Sequence, residues 1–170
     1  MSGGVNLTIN NSLTLNSNLK VSNESVFMGG ILLSGDINLN GKALTINIDS
    51  SLASSDIAGI ISGSGSLVKS GDGNLVLGGA NTFTGAVSFT GGTITIESDS
   101  AFGAGANAIT VSGNSAKGFG VTSEQTISNS LTFAAASTYL SVTGEGRLNI
   151  NNSAGTTFGA TTTLDIATNT

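Results

Sequence analysis

The sequence predicts an all-β chain that winds into a parallel β-solenoid. Short segments in which apolar and polar residues alternate follow one another along almost the whole chain, as they do in half-buried strands. A phrase of two aliphatic residues in alternate positions, closed by Asn, returns five times. The 170 residues include no Pro, so every strand keeps its backbone N–H groups for a neighbour. Coils of roughly 20 to 25 residues would divide the chain into about seven or eight.

Each alternating segment is three to five residues long and rich in Ile, Val and Thr. Gly, Asn, Ser and Asp separate the segments and favour turns. Helical spacing is nearly absent; the nearest candidate is Ser51–Ile61, whose Ser-rich start could cap one short turn. In chain order the predicted strands are Val5–Ile9, Leu13–Leu15, Ile37–Leu39, Leu44–Ile48, Leu75–Leu77, Ile94–Ile96, Ile109–Val111, Leu131–Phe133, Leu148–Ile150 and Leu164–Ile166.

The recurring phrase ends each time on an asparagine, which tolerates a positive φ angle at a turn. Stacked Asn amides can also hydrogen-bond along the axis of a solenoid. Both properties suit a coil that buries a few aliphatic residues and then turns sharply. The five copies are Leu7–Asn10, Leu13–Asn16, Ile37–Asn40, Leu44–Asn47 and Leu148–Asn151.

Composition excludes several classes of protein. Gly, Ser, Thr and Asn number 25, 25, 21 and 18, yet 38% of the chain is apolar and only 9% is charged, unlike a disordered chain. The absence of His and Cys excludes His-dependent triads, thiol nucleophiles, zinc sites and disulfides. Five basic side chains and a net charge of −5 leave no basic patch for nucleic acid.

The sequence carries no recognisable membrane span or targeting signal. Its longest mostly apolar run, Val26–Leu33, is far shorter than the roughly 20 residues that cross a bilayer. The first residues, Met-Ser-Gly-Gly, lack the basic and apolar regions of a signal peptide. We therefore expect either a cytosolic protein or a mature or truncated piece of a longer precursor.

Aromatic residues occur singly, and we expect them to fill the core and stack along the solenoid axis. They are Phe27, Phe83, Phe89, Phe102, Phe119, Phe133, Phe158 and Tyr139.

The middle of the chain carries a specific motif. From Gly63 to Gly85 the sequence reads GSGSLVKSGDGNLVLGGANTFTG. It closely resembles the passenger-associated transport repeat of bacterial autotransporters, G-x-G-x-L-x-K-x-G-x-G-x-L-x-L-x-G-x-N-x-Y/F-x-G, and matches all twelve marked positions. The following stretch, Ser98–Val111, is similar to the segment that commonly succeeds the repeat. One departure is Ala86–Phe89, where family members more often have Thr-Thr-Val. The resemblance covers about residues 63–113.

This resemblance implies a right-handed parallel β-helix that is exported across a Gram-negative outer membrane. In the family, the repeat is associated with efficient secretion and folding of the passenger. The family's signal peptide and C-terminal outer-membrane barrel are expected only if the chain is part of a longer one. The last residues, Ala167–Thr170, lack the terminal aromatic of a barrel. We expect an excised passenger fragment or a free-standing secreted subunit.

Some β-helices act on polysaccharides, with clustered carboxylates that often bind Ca²⁺. Glu97 and Asp99 could share a face, and Asp49 and Asp56 flank a Ser-rich turn. An enzyme would lose activity when these residues are replaced, whereas a structural protein would tolerate each change. Arg147 beside Glu145 is expected to form a solvated turn with a weak surface ion pair.

Other sites receive little support from the residues. Gly71–Gly79 only superficially resembles a Ca²⁺-binding nonapeptide, because Asp72 is out of register and no second copy exists. Lys69 is expected to be a solvated turn residue. Thr93–Thr95 and Thr161–Thr163 could form an ice-binding ladder, but no such motif repeats in register. Gly103–Gly105 lacks the context of a phosphate loop.

The sequence therefore predicts one β-helical domain over residues 1–170, with the transport repeat at 63–113. Its expected function is a non-catalytic, extracellular or cell-surface stalk or fibre segment, with no cofactor, no metal and no catalytic residue. Expected partners are the chain itself or host and cell-surface ligands. Alternatives are a filament subunit that stacks head to tail through its solenoid ends and, less favoured, a β-helical polysaccharide-active enzyme.

Overall fold

The computed structural model describes residues 6–24, 29–113, 116–134, 138–159 and 162–168. Every regular element in these residues is a β-strand. The strands are β1 (Leu7–Ile9), β2 (Leu13–Thr14), β3 (Leu19–Asn23), β4 (Ile31–Leu33), β5 (Ile37–Asn38), β6 (Leu44–Ile48), β7 (Ser54–Ile57), β8 (Ile61–Ser62), β9 (Leu67–Ser70), β10 (Asn74–Leu77), β11 (Val87–Phe89), β12 (Gly92–Ile96), β13 (Ala108–Val111), β14 (Lys117–Val121), β15 (Gln125–Ile127), β16 (Ser130–Phe133), β17 (Thr138–Gly144), β18 (Leu148–Ile150), β19 (Thr156–Phe158) and β20 (Thr162–Thr168).

The strands stack in parallel on successive coils, which confirms the predicted β-solenoid. Sheet 1 has eight strands in the order β1-β4-β7-β10-β12-β14-β17-β20. Sheet 3 has seven, β3-β6-β9-β11-β13-β16-β19. Between them in chain order come the short stacks β2-β5-β8 and β15-β18, together called sheet 2. A coil runs from sheet 1 through sheet 2 to sheet 3 before it returns to sheet 1, except where β10 leads directly to β11 and β12 leads directly to β13.

Eight stacked strands are joined by seven coil-to-coil steps, and seven strands by six. The chain therefore makes six to seven complete turns, slightly fewer than the seven or eight coils predicted. The shortest step is 19 residues, from Asn74 to its stacked partner Thr93, and the longest is 25, as from Leu19 to Leu44. The right-handed winding implied by the family resemblance stays a prediction.

Two rows of inward-facing side chains fill the interior between the sheets. In sheet 1, Leu75, Ile94 and Phe119 stack in register, and all three are fully buried. In sheet 3, Ile46 and Phe89 belong to a similar row. Alternate residues of the same strands face outward, so the two-residue period of the sequence separates core from surface. Burial of these rows supplies the main apolar stabilisation of the fold.

Each of the ten predicted segments overlaps a strand, although Asn6, Leu15 and Leu39 lie outside the strands; Val5 lies outside the described residues. The alternation did not single out the other ten strands, among them β7, β14 and β17. The expected helical turn within Ser51–Ile61 is wrong. Residues 54–57 form β7, whose Ser55 and Ile57 face the core. The pairing of this strand with β10 overrides the weak helical signal.

The predicted role of aromatic residues is confirmed in the middle of the solenoid. The rings of Phe89 and Phe119 lie 5.7 Å apart, and those of Phe102 and Phe119 lie 5.8 Å apart. The prediction is wrong for Tyr139 and Phe158, which are 42% and 58% exposed. Phe158 nevertheless stacks on the buried ring of Phe133 in the preceding coil. Phe27 lies outside the described residues.

A positive φ angle occurs at one of the five asparagines that close the recurring phrase, and asparagine side chains connect coils by bonding to backbone groups. Asn40 has a φ angle of 48°, and its side-chain amide donates to the carbonyl of Leu15 one coil away. Asn81 is buried and links three coils. It accepts from the Ile61 backbone amide at 2.7 Å and donates to the Ala101 carbonyl at 2.7 Å.

The described residues contain no helix that is long and apolar enough to span a bilayer.

Candidate functional site

The four acidic residues considered for catalysis occupy different parts of the solenoid. Asp49 follows the end of β6, whereas Asp56 lies within β7, in register with Leu32 and Val76. Glu97 and Asp99 follow β12. The chain therefore places them at three separate positions along the coil, with Glu97 and Asp99 together in the turn after β12.

Two of these carboxylates have clear local environments. One oxygen of Asp99 accepts a hydrogen bond from the Thr126 backbone amide, 2.6 Å away on the next coil. Burial raises the pKa of Asp56, and one of its oxygens is buried without a hydrogen-bond partner. Within the described parts of the chain, no three His, Cys, Asp or Glu side chains are grouped so that they could hold a metal ion.

Lys69 is the most unusual charged residue of the structure, and the expectation that it is solvated is wrong. It is fully buried in β9, in register with Ile46 on one neighbouring strand and Phe89 on the other. Its aliphatic stem therefore replaces one apolar side chain in the inward row of sheet 3. One feature of the sequence does indicate this burial. Lys69 stands two residues after Leu67 in the same strand, so its side chain points in the same direction as that of the buried Leu67.

The ammonium of Lys69 lies at the end of the row, where sheet 3 turns back toward sheet 1. The turns at this position, which include residues 49–53, 70–73 and 90–91, are called the return corner. Nζ donates to the carbonyl oxygens of Ser70 and Gly71 at 2.8 Å each, and to that of Gly91 at 3.0 Å. All three ammonium protons are thus used. Because Gly91 belongs to the next coil, Lys69 joins two consecutive turns from inside.

Burial and nearby carboxylates shift the pKa of Lys69 in opposite directions. Desolvation lowers the pKa of Lys69 to about 8, while the charges of Asp72 and Asp49 act in the opposite direction.

Gly71 has a φ angle of 74°, and a Cβ atom there would lie 2.2 Å from the Ile48 carbonyl oxygen. Only glycine permits this close approach, which leaves the Gly71 carbonyl available to the ammonium.

Similar donors occur at the return corner of other coils. Asn23 donates to the Gly29 carbonyl at 2.8 Å, and Lys117 donates to the Gly113 carbonyl at 2.8 Å. Both side chains are buried, and burial lowers the pKa of Lys117. Buried polar donors therefore satisfy backbone carbonyls that turn inward at this corner.

The transport repeat interrupts sheet 2. Residues 78–86 connect β10 directly to β11, and residues 97–107 connect β12 to β13. Phe83 and Phe102 from these connections are buried, and the Asn107 amide donates to the carbonyls of both. The coil steps through residues 78–86 are the shortest, at 19 and 20 residues, whereas the step from Gly92 to Lys117, through residues 97–107, is 25 residues. The first part of the motif therefore encodes the shortest coils of the solenoid.

The remaining candidate features have structural roles or no special geometry. Thr93 and Thr95 face outward, but their neighbours in β14 are Gly118 and Gly120, so no threonine ladder forms here. Thr161 lies outside the described residues.

Glu145 and Arg147 are exposed. Arg147 lies beside an apolar cavity of about 330 Å³ in the C-terminal coils, lined also by Leu140, Val142, Leu148 and Ile150.

Comparisons with known proteins agree with the motif. Residues 67–96 match the family model described as passenger-associated-transport-repeat. Over 100 residues, or 59% of the chain, the sequence is 39% identical to the protein named Adhesin BmaC autotransporter from Brucella suis biovar 1 (strain 1330). The chain spans only 3% of the length of that relative. No solved structure matches the chain. The predicted resemblance to bacterial autotransporter passengers is thereby confirmed.

Replacing Lys69 with Met should lower the free energy of unfolding by about 2 kcal/mol, because three buried carbonyls lose their donor. Methionine keeps most of the stem volume, so the change isolates the ammonium. The matched control is Lys20→Met, which removes an exposed lysine from the same sheet. Urea denaturation followed by circular dichroism measures both variants. Equal midpoints for the two would contradict the proposed role of Lys69.

The pH dependence of stability should also report on Lys69. Its pKa is about 8 in the folded chain against an ordinary 10.5, so between these values the unfolded chain binds more protons. The free energy of unfolding must therefore rise with pH across this window. Urea midpoints at pH 7 and pH 10 measure the increase, which the Lys69→Met variant should lack. A wild-type increase no larger than that of the variant would refute the assignment.

Proposed function

We propose that the chain is a non-catalytic, structural segment of an adhesive protein at the bacterial cell surface. In this role the β-solenoid forms part of an extracellular stalk that holds partner-binding elements away from the membrane. Residues 1–170 act as one β-helical domain, and residues 63–113 carry the transport repeat. The relative named as an autotransporter adhesin and the matched family model support this setting.

The observation that carries the proposal is the continuous coil-to-coil ladder. Sheet 1 pairs eight strands and sheet 3 pairs seven, and each coil presents its backbone groups to the next. Mechanical continuity then depends on backbone hydrogen bonds and on the stacked apolar rows, without a specialised reactive side chain.

A polysaccharide-active enzyme is the competing function. Such an enzyme needs an acid and a base on either side of one bond, whereas Asp49, Asp56 and Glu97 lie at separate positions along the coil. This arrangement supports a binding or structural role over turnover.

The test is to display the chain on a Gram-negative bacterium through a heterologous outer-membrane anchor. We expect the wild type and Lys20→Met to reach the surface in a protease-resistant form. Lys69→Met should give several-fold less resistant material, because its corner is destabilised. Surface protease treatment followed by immunoblotting measures the resistant fraction. A displayed wild-type chain that is digested as fast as an unfolded polypeptide, or that degrades a polysaccharide, would refute the proposal.

Self-assembly into filaments is the second candidate, and exposed apolar side chains near the solenoid ends favour it. Ile150 and Phe158 are 42% and 58% exposed in the C-terminal coils, and Leu7 is 49% exposed in the first described strand. The outer edges of β18 and β19 have no paired strand in the described residues. Such edges template further β-pairing.

Negative-stain electron microscopy with light scattering distinguishes the two candidates. Filament formation predicts fibres of constant width whose mass grows with protein concentration. The matched variant Phe158→Ser should shorten them, because it removes apolar area at one end. Discrete particles of 16.7 kDa at every concentration would exclude assembly by this purified chain and leave the stalk proposal.

A further inference from the structure

The return corner carries a polar cleft on its outer side that the stalk role does not use. The cleft has a volume of about 390 Å³ and is lined by Ser51, Asp72, Gly92, Thr93, Lys117 and Ser141, among others. These residues come from five successive coils. At about 4.8 Å for each coil-to-coil step, the cleft follows the solenoid axis for roughly 19 Å.

A glycine lies between two of the residues that line this cleft. Gly118 lies in register between Thr93 and Ser141 on the outer face of sheet 1. A Cβ atom at Gly118 would lie 2.7 Å from the Ser141 hydroxyl oxygen and 3.3 Å from that of Thr93. The two hydroxyl groups therefore flank a position where the sheet presents only backbone.

The lining offers hydrogen-bonding groups of several kinds within a short distance along the axis. Ser51, Thr93 and Ser141 supply hydroxyl groups, which both donate and accept. Asp72 adds an exposed carboxylate, whereas Lys117 is buried and its ammonium donates to the Gly113 carbonyl. A ligand rich in hydroxyl groups matches this mixture, because each of its hydroxyls can also donate and accept.

We propose that this cleft binds a linear, neutral glycan, with consecutive sugar units lying along successive coils. The rise of one coil is close to the length of one pyranose unit, so consecutive sugars lie against consecutive coils. A net charge of −5 and Asp72 disfavour a polyanionic chain. Among the described lining residues Asp72 is the only carboxylate, so the cleft binds the glycan without cleaving it.

An extended peptide fits the cleft less well. Peptides commonly bind to β-proteins by adding a strand to a free sheet edge. β10, β12 and β14 beneath the cleft are each paired on both sides, so they offer no such edge. The cleft instead presents side-chain hydroxyls across stacked strands, which suits a glycan.

The proposal rests on the surface location proposed above, and its test uses the purified chain. Isothermal titration calorimetry would measure the binding of cellohexaose, laminarihexaose and mannohexaose, with hexagalacturonate as the anionic comparison and a serine- and threonine-rich hexapeptide as the peptide comparison. We expect at least one neutral hexasaccharide to bind more tightly than the other two probes.

The double variant Asp72→Asn with Thr93→Val should weaken that binding about tenfold or more, because a charged acceptor becomes neutral and a hydroxyl contact is lost. The matched control is Asp49→Asn with Thr110→Val. Thr110 faces outward on β13 of sheet 3, and Asp49 lies at the same corner outside the cleft lining. Circular dichroism checks that both variants keep the fold.

Three results would overturn the proposal: no neutral hexasaccharide binds, the charged probe or the peptide binds most tightly, or both double variants lose affinity equally. Each can occur with a folded, protease-resistant chain at the cell surface. Failure of glycan binding is therefore distinguishable from failure of the stalk function.

Discussion

The structure depends on one constraint: backbone groups buried at each turn must find partners on the same or the next coil. Within the sheets the parallel ladder satisfies this requirement automatically. At the return corner the chain reverses direction, and carbonyl groups point into the core. Buried donors from Asn23, Lys69 and Lys117 meet them there. The corner therefore limits how closely successive coils can stack, and it explains why a protein with few charges buries two of its four lysines.

This constraint also gives a physical meaning to the transport repeat. Its leucines occupy the inward row, and its glycines stand where backbones of adjacent coils nearly touch; a Cβ at Gly85 would lie 2.1 Å from the Gly65 carbonyl oxygen. Lys69 and Asn81 supply the donors that the resulting tight turns require. The residues of the motif thus depend on one another. The glycines let adjacent coils approach closely, and the buried Lys69 and Asn81 donate hydrogen bonds to the carbonyl groups of those coils.

In this architecture the inward and the outward side chains of a strand have different roles. The interior is mainly apolar and is continuous from coil to coil. The outer face changes from coil to coil without disturbing the ladder, since outward side chains on a paired strand contribute little to the core. A polar cleft such as the one beside Gly118 and Ser141 can therefore arise on a stalk without loss of stability.

The sequence by itself determined the solenoid class, because the two-residue alternation, the lack of Pro and the recurring Asn act locally. It also located the transport repeat and the strand that contains Leu75 and Leu77. Only the tertiary structure decided that Lys69 is buried, since its spacing from Leu67 indicates a shared direction but does not reveal the carbonyl partners that satisfy a buried ammonium. Tertiary structure also decided the conformation of the helix candidate Ser51–Ile61. Residues 54–57 form β7 because they pair with β10 on the next coil. The cleft, too, depends on residues from five coils, and only the stacking register brings them together.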